Sequence, residues 1–344
     1  MSMLLSDIKI QILSNHHLLK PKDKLSVVHD LCGIQAQYEN YAKHSVMIRC
    51  NDFSDHNWGE GLVKNWTIRG TLHIFSQNDI PLQLYENSES TYSKCIWNDI
   101  TVVSMERRMM FADFIVKKVK QGVRRREELK KACMEIGMTS KEGECLFNAW
   151  GGIIRNLCEK GLLCYKTGSG KELTSCEEFI PFRENEAKKE IYRRYFTNYA
   201  PVAVKDASYF FSVSQAEVKK YLNLLDYKRY EYNNETYYYI ENQNKIDGNI
   251  PRCILLSGFD PLLLGYEKHN NLFLPSEYMR GIFNLQGTVF PAVLLDGIVI
   301  GKWKKNNNRL NLTLFKSLNA SEKAAVTDKI ECLWNGTIKK IIWE

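Results

Sequence analysis

Long hydrophobic runs are missing from this sequence of 344 residues. No stretch approaches the about 20 consecutive apolar residues that a membrane-spanning helix needs. The opening segment carries Asp7 and Lys9 where an export signal would be apolar. We therefore expect neither membrane insertion nor export, and we expect the protein in the cytoplasm. Hydrophobic residues at 44% and charged residues at 25% are typical of a globular protein, and the length suggests two or three domains.

Cysteines at metal-binding spacing are also missing. The ten cysteines contain no CxxC pair, and the closest two, Cys158 and Cys164, are six positions apart. We interpret them as reduced, apolar core residues. P-loop, GxGxxG, HExxH and GxSxG motifs are absent as well, and the seven histidines lack metal-ligand spacing. The sequence therefore predicts no metal and no cofactor.

The charge is mildly basic, with a net charge of +7 and an isoelectric point near 8.7. The basic residues cluster at Arg124–Arg126 with Lys130 and Lys131, and again at Lys302, Lys304 and Lys305. Such clusters fit a polyanionic partner or a solvated face equally well.

Three stretches repeat one plan, in which helices precede a short hairpin. In the first stretch we predict helices at 4–14 and 23–35 with a hairpin at 65–75. In the second, helices at 106–121, 126–136 and 143–160 precede strands at 162–165 and 172–174, and one face of the third helix carries Leu146, Trp150, Ile153, Ile154 and Leu157. In the third, a helix at 184–198, a second helix opened by Pro201 and Asp206, and a third at 215–225 capped by Ser214 precede a hairpin over 227–240 that turns at Asn233–Asn234. Helices followed by a hairpin are typical of a winged helix, which binds DNA or another protein. This predicts winged helices at 1–85, 100–180 and 184–245.

The composition becomes rich in β-favouring residues after 250. Apolar runs at 252–258, 289–295, 298–303 and 309–315 predict strands. A helix is expected at 320–334, with Asn319 and Glu322 as its capping box and Asn335–Gly336 as its end. We expect a small curled sheet or β-barrel-like domain over 250–344. The predicted fold class is α+β.

One short motif, GIQAQ at 33–37, contains two closely spaced amides, Gln35 and Gln37. Alone it would be the polar end of a helix. Its significance comes from further segments of the same chain: RGTLHI at 69–74, YRRYF at 192–196, FDPLL at 259–263 and DGIVIGKW at 296–303.

With these segments the sequence resembles the winged-helix DNA glycosylases of the AlkZ/YcaQ type over nearly its whole length. The resemblance implies three winged helices and a β-barrel around a concave DNA-binding surface, with the QxQ motif as the catalytic element. Because it carries QAQ, the sequence resembles the AlkZ branch of this family, whose members release N7-alkylguanines and unhook interstrand crosslinks. The sequence differs at Asn15, His16 and His17, where more arginine would be expected.

The motif suits the chemistry that the resemblance implies. An N7-alkylated guanine is cationic and leaves without an acid to protonate it, so the site has only to place a water and face developing positive charge. A glutamine oxygen can do both. We assign water positioning to Gln37 and a supporting or shared role to Gln35, and the sequence leaves open which residue does which. The motif has no lysine nucleophile, which predicts a monofunctional hydrolase.

Candidate DNA contacts follow from the same reasoning. The expected partner is double-stranded DNA with alkylated bases, bound by a monomer. The predicted contact residues are Arg49, Arg69, Gly70, Thr71, His73, Arg124 and Arg125. The tyrosines at 227–239 could stack on bases or pack within the hairpin.

Two other classes of protein remain open from the sequence. A non-catalytic winged-helix transcriptional regulator would be a dimer on a symmetric site and would tolerate loss of both glutamines. A protein-interaction scaffold would show no salt-dependent affinity for DNA.

Overall fold

A computed structural model describes residues 4–51, 53–67, 69–242 and 248–344. Parts of the predicted ranges 1–85, 65–75 and 184–245 lie outside the described residues. The chain divides into two compact units, one made of Met1–Phe53 with Tyr192–Glu344 and the other of Ser54–Ile191. The division into four domains stays a prediction.

The first segment folds into short helices around a two-residue strand. Its elements are α1 (Leu5–Asn15), α2 (Lys24–Asp30), β1 (Ile34–Gln35) and α3 (Glu39–Met47). The Asp23 side chain caps α2 by accepting the Ser26 N–H. Helix α2 ends five residues before the predicted end at 35, because Cys32 and Gly33 take positive φ angles of 57° and 89° and turn the chain out of the helix.

The unit Ser54–Ile191 joins a helical bundle to a small sheet. Its strands lie in the order β3-β2-β4-β5, and β2 meets β4 at the pair Lys64 and Tyr165. Phe111, Ile115 and Leu157 are among its fully buried core residues. Its elements are β2 (Leu62–Trp66), β3 (Leu72–Ser76), α4 (Ile80–Gln83), α5 (Thr91–Asn98), α6 (Met105–Lys120), α7 (Arg126–Glu135), α8 (Ser140–Leu146), α9 (Gly152–Glu159), β4 (Leu163–Tyr165) and β5 (Leu173–Ser175).

The predicted helix 143–160 is divided into α8 and α9. Gly151 and Gly152 separate them with φ angles of 111° and 54°, and a Cβ on Gly152 would lie 2.0 Å from the Leu146 carbonyl oxygen. Only glycine fits so close to another backbone. Four of the five residues predicted to share the buried face are buried, but Trp150 precedes the break and is 75% exposed.

The remaining elements begin with three helices and a hairpin, in the order predicted for 184–245. Ser214 caps the third helix as expected, and Asn233 and Asn234 have the positive φ angles predicted for the hairpin turn. These elements are α10 (Glu184–Asn198), α11 (Val204–Phe211), α12 (Gln215–Leu222), β6 (Lys228–Tyr232) and β7 (Glu235–Tyr239).

A five-stranded sheet with a covering helix completes the chain. Its elements are β8 (Cys253–Leu255), α13 (Pro261–Leu264), α14 (Met279–Ile282), β9 (Ala292–Leu295), β10 (Ile298–Asn306), β11 (Arg309–Leu314), α15 (Ala320–Trp334) and β12 (Lys340–Trp343). Helix α15 has the predicted bounds and the predicted capping box. The strand order is β12-β11-β10-β9-β8, so the sheet is open within the described residues, and the barrel that was one of the two expected forms is not found there. Strand β12, which pairs in parallel with β11, was not predicted.

Candidate active site

The QAQ motif lies in extended chain between the end of α2 and the start of α3. Ile34 and Ala36 point into the core and are 1% and 0% exposed. Because successive side chains of an extended segment alternate, Gln35 and Gln37 share the opposite side. The Gln35 Nε2 donates to the Gln37 Oε1 at 3.1 Å. The two amides therefore form one hydrogen-bonded pair.

The two amides differ in exposure. Gln35 is 9% exposed, whereas Gln37 is exposed to solvent. A carbonyl oxygen has two lone pairs, so the Gln37 Oε1 can accept a hydrogen bond from a water as well as the one from Gln35. The Gln37 Oε1 can thus hold a water, and its direction is fixed by the hydrogen bond from the buried Gln35.

A buried ion pair fixes the helix that follows the motif. Arg49, just beyond α3, donates to the Asp260 carboxylate through Nη2 at 2.6 Å and Nη1 at 3.1 Å. Both side chains are 0% exposed. Asp260 also accepts the N–H groups of Ser257 and Leu262, so the FDPLL segment is a tight loop closed around this carboxylate. The expectation that Arg49 contacts DNA does not fit this arrangement, because a fully buried guanidinium cannot reach a phosphate.

His44 ties α3 to the C-terminal sheet. Its Nε2 donates to the Leu255 carbonyl oxygen at 2.8 Å, and its ring lies 5.0 Å from that of Trp303 and 5.8 Å from that of Trp334. Burial lowers the pKa of His44 to about 4. The Trp303 Nε1 donates to the Leu256 carbonyl oxygen at 2.9 Å. The DGIVIGKW segment therefore supports the chain that enters the FDPLL loop.

The buried region around Arg49 also contains Asn15, His16 and His17. All three residues are at most 3% exposed. The His16 carbonyl oxygen accepts the Arg49 Nε–H at 3.0 Å, and the His17 Nε2 lies 2.9 Å from Asp30. These residues hold the interior together where arginines would be expected to face DNA.

Three aromatic rings lie beside the motif, and sequence reasoning missed them. Tyr38 follows Gln37 directly, and its ring is near-parallel to that of Phe259, with 6.0 Å between centroids and 21° between planes. Tyr41 contacts both, at 5.7 Å from Tyr38 and 6.4 Å from Phe259. The i, i+3 spacing of the two tyrosines was visible in the sequence. Their contact with Phe259, which lies 218 positions after Tyr41, was not.

The predicted contacts on the first hairpin differ in accessibility. Gly70 has a φ angle of 68° and donates its N–H to the Thr67 carbonyl oxygen at 2.7 Å, while Arg69 and Thr71 are partly exposed. His73 is 2% exposed and donates from Nδ1 to the Thr71 carbonyl oxygen at 3.0 Å. Burial lowers its pKa to about 3. A DNA contact does not fit His73, whereas the other three lie at or near the hairpin turn.

The arginine cluster at 124–126 is divided by the start of α7. Arg125 is exposed, while Arg124 is partly buried and its carbonyl oxygen accepts the Leu173 N–H. Arg126 donates to the Asn148 carbonyl oxygen at 2.6 Å. Of the three, Arg125 is the side chain that is open to a phosphate.

Metal-binding clusters and membrane-spanning helices are both absent from the described residues. No group of three or more His, Cys, Asp or Glu side chains there could hold a metal ion. No helix there is long and apolar enough to cross a membrane.

Known proteins share both the fold and the sequence pattern. The structure of Streptomyces sahachiroi DNA glycosylase AlkZ matches with a TM-score of 0.78 over 100% of both chains, at 18% sequence identity, which shows a common fold. An "Interstrand DNA cross-link repair glycosylase" from Streptomyces sahachiroi is 25% identical over 324 residues, covering 86% of this chain and 87% of that protein.

These similarities define a DNA glycosylase, an enzyme of DNA repair. Residues 28–334 match the model of the family described as DNA glycosylase AlkZ-like. The chain belongs to this family.

Proposed function

We propose that this enzyme is a monofunctional glycosylase that hydrolyses the N-glycosidic bond of cationic N7-alkylguanine in double-stranded DNA. The observation that carries the proposal is the hydrogen-bonded pair of Gln35 and Gln37 on one side of an extended segment. Gln37 positions the attacking water, and Gln35 holds the Gln37 oxygen in place.

The substrate class follows from the neutrality of the site. An alkylated N7 gives the base a positive charge, and bond cleavage returns the base to neutrality while charge develops on the sugar. The amide oxygens face that charge without titrating. His44, on the helix that follows the motif, is kept neutral by a pKa of about 4. A base that departs only after protonation would therefore receive no help here.

The exposure of Gln37 supports a bulky substrate. A deep pocket would enclose a single flipped base and exclude anything larger, whereas this amide lies at the surface. Together with the printed name of the Streptomyces relative, this supports unhooking of interstrand crosslinks as a further activity.

DNA binding is assigned to exposed parts of the chain. We propose that Arg69, Gly70, Thr71 and Arg125 contact the phosphate backbone, with Arg124 beside them. The helix and hairpin units would act as winged helices, and the enzyme would work as a monomer in the cytoplasm. Affinity for duplex DNA should then fall by on the order of 10³-fold or more between 50 and 200 mM salt, because several phosphates are neutralised.

The experiment compares base release by the wild type and by Gln35→Ala/Gln37→Ala on a duplex that contains one N7-methylguanine. Release should fall at least about 10²-fold, the effect of losing a preorganised polar contact. Gln286→Ala is the matched control, since that glutamine is exposed on a loop. Normal excision by the double variant would refute the catalytic assignment.

A further inference from the structure

The aromatic platform formed by Tyr38, Tyr41 and Phe259 has no part in the mechanism above, although it adjoins the amide pair. We propose that the Tyr38 ring is the surface on which the cationic base stacks, and that it selects damaged over undamaged DNA. The proposal rests on the proposed function, because it takes the Gln35 and Gln37 pair as the reaction centre.

Tyr38 is the next residue along the chain from the amide pair. It follows Gln37 directly, so the two Cα atoms are about 3.8 Å apart. Tyr38 is 59% exposed, while its neighbour on the platform, Phe259, is 5% exposed. A large aromatic residue that remains this accessible beside a catalytic motif has a face to offer to a ligand.

Hydrogen bonds to the backbone hold the platform residues Phe259 and Tyr41 in place. Phe259 takes a left-handed φ of 56°, which a phenylalanine rarely adopts, and its N–H donates to the Val289 carbonyl oxygen at 3.2 Å. The Ser257 hydroxyl donates to the Tyr41 carbonyl oxygen at 2.5 Å. The Tyr38 ring therefore rests on a support that is already ordered, which limits the entropy lost when a base binds.

Close packing at Gly258 completes this support. A Cβ at this position would lie 2.7 Å from two carbons of the Tyr41 ring. The loop that carries Phe259 can thus approach Tyr41 only because residue 258 has no side chain. Packing this tight fixes Tyr41 relative to Phe259, and both fix Tyr38.

The chemistry of the ring fits a cationic purine. The face of a phenol is the negative end of its quadrupole, so it attracts a positive charge in addition to stacking. N7-alkylguanine is both flat and cationic, whereas guanine is only flat. Since the charge leaves the base as the bond breaks, the attraction is greatest before the reaction. Tyr38 should therefore act on binding of the lesion more than on the rate of cleavage.

The test is a single-turnover titration of enzyme against a duplex with one N7-methylguanine. Tyr38→Leu should raise the half-saturating enzyme concentration by about 5-fold to 150-fold, the range for loss of one base–aromatic stack. The rate at saturation should change by less than about 3-fold. Tyr38→Phe should behave as the wild type, because the ring face and not the hydroxyl is used.

Two controls separate stacking from a structural role. Binding of Tyr38→Leu to the undamaged duplex should equal that of the wild type, and Trp150→Leu, at another exposed aromatic residue, should leave both quantities unchanged. An unchanged half-saturating concentration in Tyr38→Leu, or an equal loss in Tyr38→Phe, would overturn the inference. If the wild type releases no N7-methylguanine, the proposed function fails instead.

Discussion

Replacing Arg49 with methionine distinguishes an interior role from a DNA contact. The guanidinium and the Asp260 carboxylate are both 0% exposed and share two hydrogen bonds of 2.6 and 3.1 Å. The same guanidinium donates to the carbonyl oxygens of His16 and Ser45. Arg49→Met leaves the buried Asp260 carboxylate without its ion-pair partner. Removing one member of such a pair costs about 3–5 kcal/mol.

Urea unfolding measures this loss directly. The free energy of unfolding of Arg49→Met should fall by that amount, while Arg125→Met, at an exposed arginine, should stay within about 0.5 kcal/mol of the wild type. The double variant Arg49→Met/Asp260→Leu should recover part of the loss, since no charge is then buried. If Arg49→Met keeps wild-type stability and loses only its salt-dependent affinity for DNA, Arg49 contacts phosphate and the structural reasoning is wrong.

Three further predictions concern stability. Folding holds the pKa of His44 at about 4 and that of His73 at about 3, whereas the unfolded rings bind protons near 6.5. The free energy of unfolding should therefore be greatest above pH 6.5 and fall below it by about 1.4 kcal/mol per pH unit for each ring. Urea unfolding at pH 7.5 and 5.5 measures this fall, which should be smaller in His44→Gln. Gly258→Ala should lower the free energy of unfolding by about 1–3 kcal/mol in the same assay, because the new Cβ would collide with the Tyr41 ring. It should also weaken binding of the lesion. Unchanged stability would contradict the packing described. Asn319→Ala should lower the free energy of unfolding by about 1 kcal/mol through loss of the α15 cap, and a loss near zero would show that this helix end frays.

Local signals were predictable from the sequence. Helix α15 begins and ends where its capping box and Asn335–Gly336 indicated, and Ser214 caps α12 as expected. Both signals act within a few residues, so periodicity and capping preferences suffice to find them. The same reasoning placed α8 and α9 in one helix, because it could not show that the Leu146 carbonyl oxygen would come against Gly152.

The amide pair was found for its residue types, but its geometry was not predicted. Gln35 and Gln37 were expected at the end of a helix, where residues two apart point in different directions. The positive φ at Cys32 and Gly33 makes the segment extended instead, and this brings the two amides together.

Long-range contacts account for what the sequence could not reveal. The role of Arg49 depends on Asp260, which lies 211 positions further along, and the Tyr38 ring depends on Phe259 in the same loop. A single sequence records no such pairs. An arginine near the QAQ motif therefore suggested a phosphate contact until its burial was known.

The rate of base release as a function of pH and base charge tests the neutral-amide site most directly. Single-turnover rates should be measured from pH 6 to 8 on matched duplexes that carry N7-methylguanine or uracil. With His44 and His73 neutral throughout this range, we predict release of N7-methylguanine at a nearly constant rate and no release of uracil. Efficient release of uracil, or a bell-shaped profile centred near pH 7, would show that a titrating acid or base performs the chemistry.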